Sequence, residues 1–126
     1  MNHPYSLQTQ HIIDFIRDQY GIDPEFLWPE KSPNCCIFRN PVTRKWFAAI
    51  MVIAGTKIGH STDENLEIID LKFDKGQALD FIENTEFAYP AYHMNKQNWF
   101  TMPLDNSLND TQIFELIDHS YTLSDK

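Results

Sequence analysis

The chain has 126 residues, of which 42% are hydrophobic and 13% aromatic, and it carries a formal net charge of −8. This length fits one domain with a single core, residues 1–126, and the apolar content argues against disorder. No apolar run reaches 18 residues, and the first short one, residues 12–16, contains Asp14. We therefore expect neither a signal peptide nor a membrane span, and a cytoplasmic location.

The first predicted element is a helix over Leu7–Tyr20. Ser6 is placed to cap its amino end, and Gly21 lies where a helix usually ends. One apolar stripe is formed by Ile12, Ile13, Ile16 and Tyr20, and Phe15 widens it. Pro29 and Pro33 then argue against a helix or a central strand in the segment that follows.

Three strands are predicted next, over Cys35–Arg39, Lys45–Ile53 and Leu66–Phe73. The second strand is apolar at both odd and even positions, which indicates a central strand covered, at least in part, on both faces. In the third strand the apolar positions are expected to point inward, and Asp70 elsewhere. Cys35 and Cys36 are adjacent, so they point to opposite faces and are expected to remain reduced thiols.

The remaining elements are two helices and two short strands. Asp74, with Gln77 three positions later, predicts a capping box for the second helix. Two short strands are expected over Ala88–Met94 and Gln97–Leu104. The Asn109–Gln112 spacing predicts a second capping box, for the last helix. This order of elements predicts an α+β domain, mainly an antiparallel sheet with helices packed on it.

Four segments carry a family resemblance: Lys45-Trp46-Phe47-Ala48, Asp70-Leu71-Lys72, Tyr92-His93-Met94-Asn95-Lys96 with Trp99, and Leu116-Ile117-Asp118-His119-Ser120-Tyr121. With these segments the chain resembles the MmcQ/YjbR family of small bacterial proteins over nearly its whole length. The resemblance implies a frataxin-like, or CyaY-like, α+β fold. It also implies a "double-wing" arrangement proposed to bind DNA.

The distribution of charge indicates where DNA would bind. A net charge of −8 opposes general binding of nucleic acid, yet residues 31–62 contain five basic residues and no acidic one, which leaves −13 on the rest of the chain. We expect weak contact with phosphates, without base-specific readout, through a basic hairpin surface. Its residues are Arg39, Arg44, Lys45 and Lys57, with Lys96 assisting. Ordinary solvated hairpin charge is the alternative explanation.

Two other hypotheses stay open. The first is a small-ligand or protein-interaction site formed by Tyr92, His93, Lys96, Trp99 and Tyr121. Core packing of the aromatic residues and a solvated lysine would explain the same pattern. The second is weak cation binding by two carboxylates four residues apart on the first helix, Asp14 and Asp18, for which a solvated helix face is the simpler explanation.

No pattern indicates catalysis. The sequence has no Gly-rich phosphate loop, nucleophile elbow or HExxH motif. Ser120 directly follows His119, and adjacent residues on a helix do not face each other. His93 and His119 could meet in space, but zinc needs three or four converging ligands, and His3, His11 and His60 show no ligand spacing. We therefore expect a non-enzymatic binding protein without a metal or cofactor.

Overall fold

The computed structural model describes residues 5–126, which form a five-stranded antiparallel sheet with α-helices packed on one face. The elements in chain order are α1 (Leu7–Tyr20), β1 (Cys36–Arg39), β2 (Trp46–Ala54), a 3₁₀ turn (Gly55–Ile58), β3 (Asn65–Lys72), α2 (Ala78–Glu83), β4 (Tyr89–Pro90), β5 (Trp99–Pro103) and α3 (Asp110–Ser124). The strand order is β1-β2-β3-β5-β4. The predicted α+β class is confirmed. None of the described helices is long and apolar enough to cross a membrane.

The ends of the two long helices follow the local sequence. Ser6 caps α1 by accepting a hydrogen bond from the Thr9 N–H, and Gly21 ends the helix with a φ of +70°. In α3 the Asn109 side chain accepts from the Gln112 N–H, while the Gln112 side chain accepts from the Asn109 N–H. These caps satisfy backbone groups that a helix end leaves unpaired, and the residues that form them lie next to one another in the sequence.

The predicted capping box of the second helix is wrong. α2 begins only at Ala78, and Gln77, which precedes it, makes no capping hydrogen bond through its side chain. The Asp74 carboxylate instead lies 3.2 Å from His119 Nε2 on α3. A contact between distant segments has therefore replaced the local cap.

The predicted strand over residues 88–94 is largely wrong. Only Tyr89–Pro90 pairs with β5, and residues 91–98, here called the 91–98 loop, make bends and turns. Pro90 has no N–H to donate, which limits strand pairing to an edge position. The chain therefore leaves the sheet directly after this proline.

The main core lies between the helices and one face of the sheet. Its fully buried members include Ile12 and Ile16 of α1, Ile113 and Ile117 of α3, and Phe38, Phe47, Ile50, Ile69, Leu71 and Phe100 of the strands. α1 and α3 also pack on each other, with the rings of Phe15 and Phe114 stacked at 4.1 Å between centroids. This face, the helix-covered face, buries most of the apolar surface.

The opposite side of the sheet, the open face, holds a smaller apolar cluster. Its buried members are Cys35, Ile37, Ala49, Met51, Ile58 and Ile68. No α-helix in the described part of the chain contributes to this cluster; half-buried side chains such as Trp46 and Tyr92 pack against it instead. The second face of β2 is thus only partly covered, as its sequence indicated. The two cysteines are free, buried and in different clusters.

Candidate binding site on the open face

A groove of about 870 Å³ lies on the open face. Its floor includes Ile37, Ala49 and Met51 of β1 and β2. Ala49 pairs with Asp70 of β3 and its side chain is a single methyl group, so the floor is low at this point. The walls come from two irregular segments, the 26–34 loop before β1 and the 91–98 loop before β5. A volume of this size is typical of ligand pockets.

Aromatic rings line both walls of the groove. On one wall the rings of Trp28 and Trp46 meet edge to face, with centroids 6.2 Å apart and planes at 74°. Trp28 remains 43% exposed, although Trp46 is half-buried. On the other wall the rings of Tyr92 and His93 lie 4.0 Å apart. The groove therefore offers flat apolar surfaces that a planar ligand could contact.

The charge of the groove is opposite to that of the protein. Lys31 and Lys57 line it, and no acidic side chain among residues 5–126 does. Seven of the eighteen acidic residues lie on the three α-helices, which carry one basic residue. The groove is locally cationic and is therefore suited to an anionic ligand.

Asp70 is the unexpected residue of the open face. It was expected to point away from the interior, yet it is fully buried in the middle of β3. Thr101 Oγ1 donates a hydrogen bond to its Oδ1, whereas its Oδ2 has no hydrogen-bond partner among residues 5–126. Burial raises the pKa of Asp70 to about 7, against the smaller opposing effects of Thr101 and of the positive charge of Lys96.

Asp70 lies at the base of the contacts that hold the 91–98 loop. The Tyr92 N–H donates to Thr101 Oγ1 at 2.8 Å, and Thr101 in turn donates to Asp70. Lys96 Nζ donates to the Ala91 carbonyl at 2.7 Å, which closes the loop on itself. Lys96, predicted to assist with phosphate binding, is therefore committed to the loop wall through this bond.

The four predicted phosphate-binding residues of the hairpin segment do not form one patch. Arg44 and Lys45 lie before β2, and Lys57 lies after it, so the nine residues of this strand separate them by roughly 25 Å. The Arg39 guanidinium donates to both oxygens of Glu25, at 3.1 and 3.2 Å, which neutralises much of its charge. Of the four, only Lys57 lines the groove.

A second aromatic and cationic pair lies at the far end of the open face. Lys72 Nζ is 5.5 Å from the centre of the Trp99 ring, and the two residues face each other across β3 and β5. Burial, and then the nearby charge of Lys45, lower the pKa of Lys72. The cation beside the half-buried Trp99 is therefore Lys72, whereas Lys45 Nζ donates to the Lys126 carbonyl after α3.

The predicted C-terminal cluster is divided between the two faces. Tyr92 and His93 line the groove, and Trp99 lies on the same face. Tyr121 lies on the helix-covered face, where it stacks on Tyr20 at 4.1 Å and meets Phe47 edge to face. Tyr121 therefore belongs to the core and not to a site shared with the other four residues.

The remaining candidates for chemistry have structural partners. Ser120 Oγ donates to the Phe47 carbonyl at 2.5 Å and accepts from the Lys72 N–H at 2.8 Å, which ties α3 to the sheet. His119 and His93 lie on opposite sides of the sheet. Among residues 5–126 no group of three or more histidine, cysteine, aspartate or glutamate side chains could hold a metal ion.

The carboxylates of Asp14 and Asp18 are exposed on α1. Asp14 lies 3.6 Å from the Arg17 guanidinium, which also binds Asp23 at 2.7 Å. The pair therefore forms part of an ordinary solvated helix surface with its own counter-charge.

Sequence reasoning missed three residues of the groove: Trp28, Lys31 and Trp46. Trp28 and Trp46 are 18 positions apart, and only the return of the chain along β1 brings their rings together. The position of Trp28 between Pro24 and Pro29 is the one sequence signal that could have marked the loop. An apolar residue in a segment that cannot pair as a central strand often lies at a surface.

The fold and the groove define a small α+β domain with an antiparallel sheet open on one face. The chain belongs to the YjbR family, whose sequence model matches residues 17–123. It is 30% identical, over 94% of its own length and 98% of the relative's, to the uncharacterized protein YyaQ of Bacillus subtilis. A match of 38% identity to the uncharacterized protein YjbR of Escherichia coli covers about half of each chain, 46% and 49%.

Solved structures show the same fold. A crystal structure of a Pseudomonas syringae protein matches with a TM-score of 0.84 and 35% identity, over 98% of this chain and 99% of that one. A crystal structure of a Deinococcus radiodurans protein matches with a TM-score of 0.67 and 19% identity, over 94% and 78% of the two chains. The second likeness concerns the fold alone.

Proposed function

We propose that this YjbR-family protein is a non-enzymatic nucleic-acid-binding protein and that it binds through the open face of its sheet. One observation carries the proposal: in a chain of net charge −8, the groove is lined by two lysines, two tryptophans and no acidic residue of the described chain. Lysines bind phosphates, and aromatic side chains bind bases. The acidic helices on the other side would face solvent.

The proposal moves the binding surface away from the hairpin. Arg39 is paired with Glu25, so it has little charge left for a phosphate. Lys31 and Lys57 at the groove, with Lys72 beside Trp99 at the other end of the open face, provide cations at both ends of a tryptophan-bearing surface. An extended polyanion can contact both ends, whereas a compact anion cannot.

The adjacent residues His119 and Ser120 have structural contacts and do not support catalysis. Ser120 is buried and makes two hydrogen bonds that join α3 to the sheet. His119 contacts Asp74 on the acidic side of the molecule. Neither side chain lies at the groove.

Binding is tested by fluorescence anisotropy with labelled DNA and RNA oligonucleotides of about 16 nucleotides, the upper end of known site sizes for one binding domain. We expect affinity to fall with salt, with a slope of about −0.7 for each phosphate contacted in a single strand. Lys57→Glu should weaken binding and reduce the magnitude of that slope. Lys75→Glu, a change of an exposed lysine that does not line the groove, is the matched control.

Two results would contradict the proposal. One is the absence of binding to any oligonucleotide at low salt. The other is equal weakening by Lys57→Glu and Lys75→Glu, which would indicate a general effect of net charge and not a defined surface.

A small anionic ligand is the second candidate, and the volume of the groove, about 870 Å³, favours it. It predicts that individual anionic metabolites raise the melting temperature while oligonucleotides do not. A thermal-shift screen with wild-type protein and Lys57→Glu distinguishes the two candidates.

A further inference from the structure

We infer that the groove binds an unpaired base of a single-stranded nucleic acid between its two aromatic walls, one formed by Trp28 and Trp46 and the other by Tyr92 and His93. This inference rests on the proposed function, and it specifies the class of nucleic acid. It departs from duplex DNA binding through a basic hairpin.

The first observation is the exposure of Trp28. A tryptophan that is 43% exposed keeps a large apolar area in water, and covering it with a base is favourable. Its edge-to-face contact with Trp46 fixes the orientation of the ring before any ligand arrives. A stacking surface that is already oriented loses little entropy on binding.

The second observation is that the two loops that carry Trp28, Tyr92 and His93 are held in place. The 26–34 loop is anchored at one end by Glu25, which pairs with Ile37 through two backbone hydrogen bonds of 2.9 and 3.0 Å. Within the loop, the Ser32 N–H donates to the Trp28 carbonyl at 2.9 Å. The opposite wall is held through Tyr92 and Thr101, and His93 takes a left-handed φ of +63°.

The third observation is the shape of the site. In a duplex the faces of the bases are stacked on one another, and only their edges are accessible in the grooves. The aromatic rings here line a recess above the strands. An unpaired base can turn into such a recess and present its face to a ring.

Lys31 and Lys57 complete the argument, since they line the same recess. Phosphates lie on both sides of every base in a strand, so cations beside a stacking surface match a nucleotide within a chain. A recess lined by acidic residues would repel the same ligand, and none lines this one in residues 5–126.

The inference is tested by measuring the affinity of the full chain for three probes: a single strand of about 16 nucleotides, the same sequence as a duplex, and a nucleoside monophosphate. We expect the single strand to bind at least about tenfold more tightly than the duplex. Trp28→Ala should weaken binding of the single strand about tenfold and leave the salt slope unchanged, because stacking releases no counterions. Trp28→Phe should restore part of the affinity.

Lys57→Glu is the comparison variant, because it should reduce the magnitude of the salt slope. Circular dichroism with thermal melting verifies that each variant folds. Binding of the duplex with equal or higher affinity overturns the inference. An affinity of Trp28→Ala for the single strand equal to that of the wild type overturns it as well. The proposed function stands in both cases. Equal binding of the monophosphate and the single strand also overturns it and favours a pocket for free nucleotides. No binding of any probe overturns the proposed function itself.

Discussion

The two faces of the sheet have different physical roles. The helix-covered face packs large side chains such as Phe47 and Phe100 against two long helices and turns acidic residues to solvent. The open face has a methyl group at Ala49, a buried carboxyl group at Asp70 and an exposed ring at Trp28. The helix-covered face buries large apolar side chains in close contact, whereas the open face contains groups whose burial or exposure lowers stability. Such costs are common where a surface is kept for binding.

The comparison predicts the largest effect for truncation on the helix-covered face. Phe100 is fully buried and packs on Phe81, with ring centroids 4.9 Å apart. Phe100→Ala should lower the free energy of unfolding by about 3–5 kcal/mol, because it leaves a cavity among fixed neighbours. Trp28→Ala on the open face should cost less than about 1 kcal/mol. Urea denaturation of both variants measures the difference, and equal losses would contradict the division of roles.

The second prediction concerns the pH dependence of stability. The pKa of Asp70 is about 7 in the folded protein, against 3.8 for a free carboxyl group. The folded state therefore binds the proton more tightly than the unfolded state does. The contribution of the protonated Asp70 to the free energy of unfolding is complete below pH 3.8 and is lost as the pH rises to about 7. Across that pH interval the free energy of unfolding of the wild type should fall by roughly 4 kcal/mol more than that of Asp70→Asn, whose side chain cannot ionise.

Denaturant titrations from pH 4 to 8 measure the Asp70 effect. Asp80→Asn, at an exposed position of α2, should keep the pH dependence of the wild type. If Asp70→Asn also keeps the pH dependence of the wild type, the buried carboxyl group of Asp70 does not cause that dependence.

The third prediction tests the link between the two layers. Ser120→Ala removes two hydrogen bonds and leaves the Phe47 carbonyl and the Lys72 N–H without this partner. Unfolding should become easier by about 1–3 kcal/mol, the cost of buried unsatisfied groups. Affinity for nucleic acid should change little at temperatures where the variant is folded. Ser61→Ala at an exposed site is the control, and a loss of binding without a loss of stability would contradict a structural role.

The smallest effect is expected at the hairpin before β2. Arg44 and Lys45 are exposed, neither lines the groove, and Lys45 Nζ donates to the Lys126 carbonyl. Arg44→Glu with Lys45→Glu should leave stability within about 0.5 kcal/mol. The pair of substitutions should weaken nucleic-acid binding by less than the single change Lys57→Glu, as measured by anisotropy at fixed salt. A larger loss of affinity in the hairpin variant than in Lys57→Glu would indicate that nucleic acid binds at the hairpin and not at the groove.

Local features of the fold were predictable because few residues decide them. The caps at Ser6, Gly21 and Asn109 depend only on side chains and backbone within one turn. The apolar pattern of β2 likewise indicated a central strand, which it is. The predicted cap at Asp74 is wrong, and local sequence could not show this, because the carboxylate of Asp74 contacts His119, 45 positions away.

The sequence by itself determined the α+β class, the family and the segregation of basic residues into the segment between residues 31 and 62. Only the tertiary structure decided which of these cations lie together. β2 is long enough to hold Lys45 and Lys57 apart, while the chain's return along β1 brings Trp28 onto Trp46. It also decided the burial of Asp70, since a polar residue becomes buried only when distant segments cover it. Neighbouring residues in the sequence determine the helix caps, whereas the distances between strands and loops in the folded chain determine which side chains form the groove.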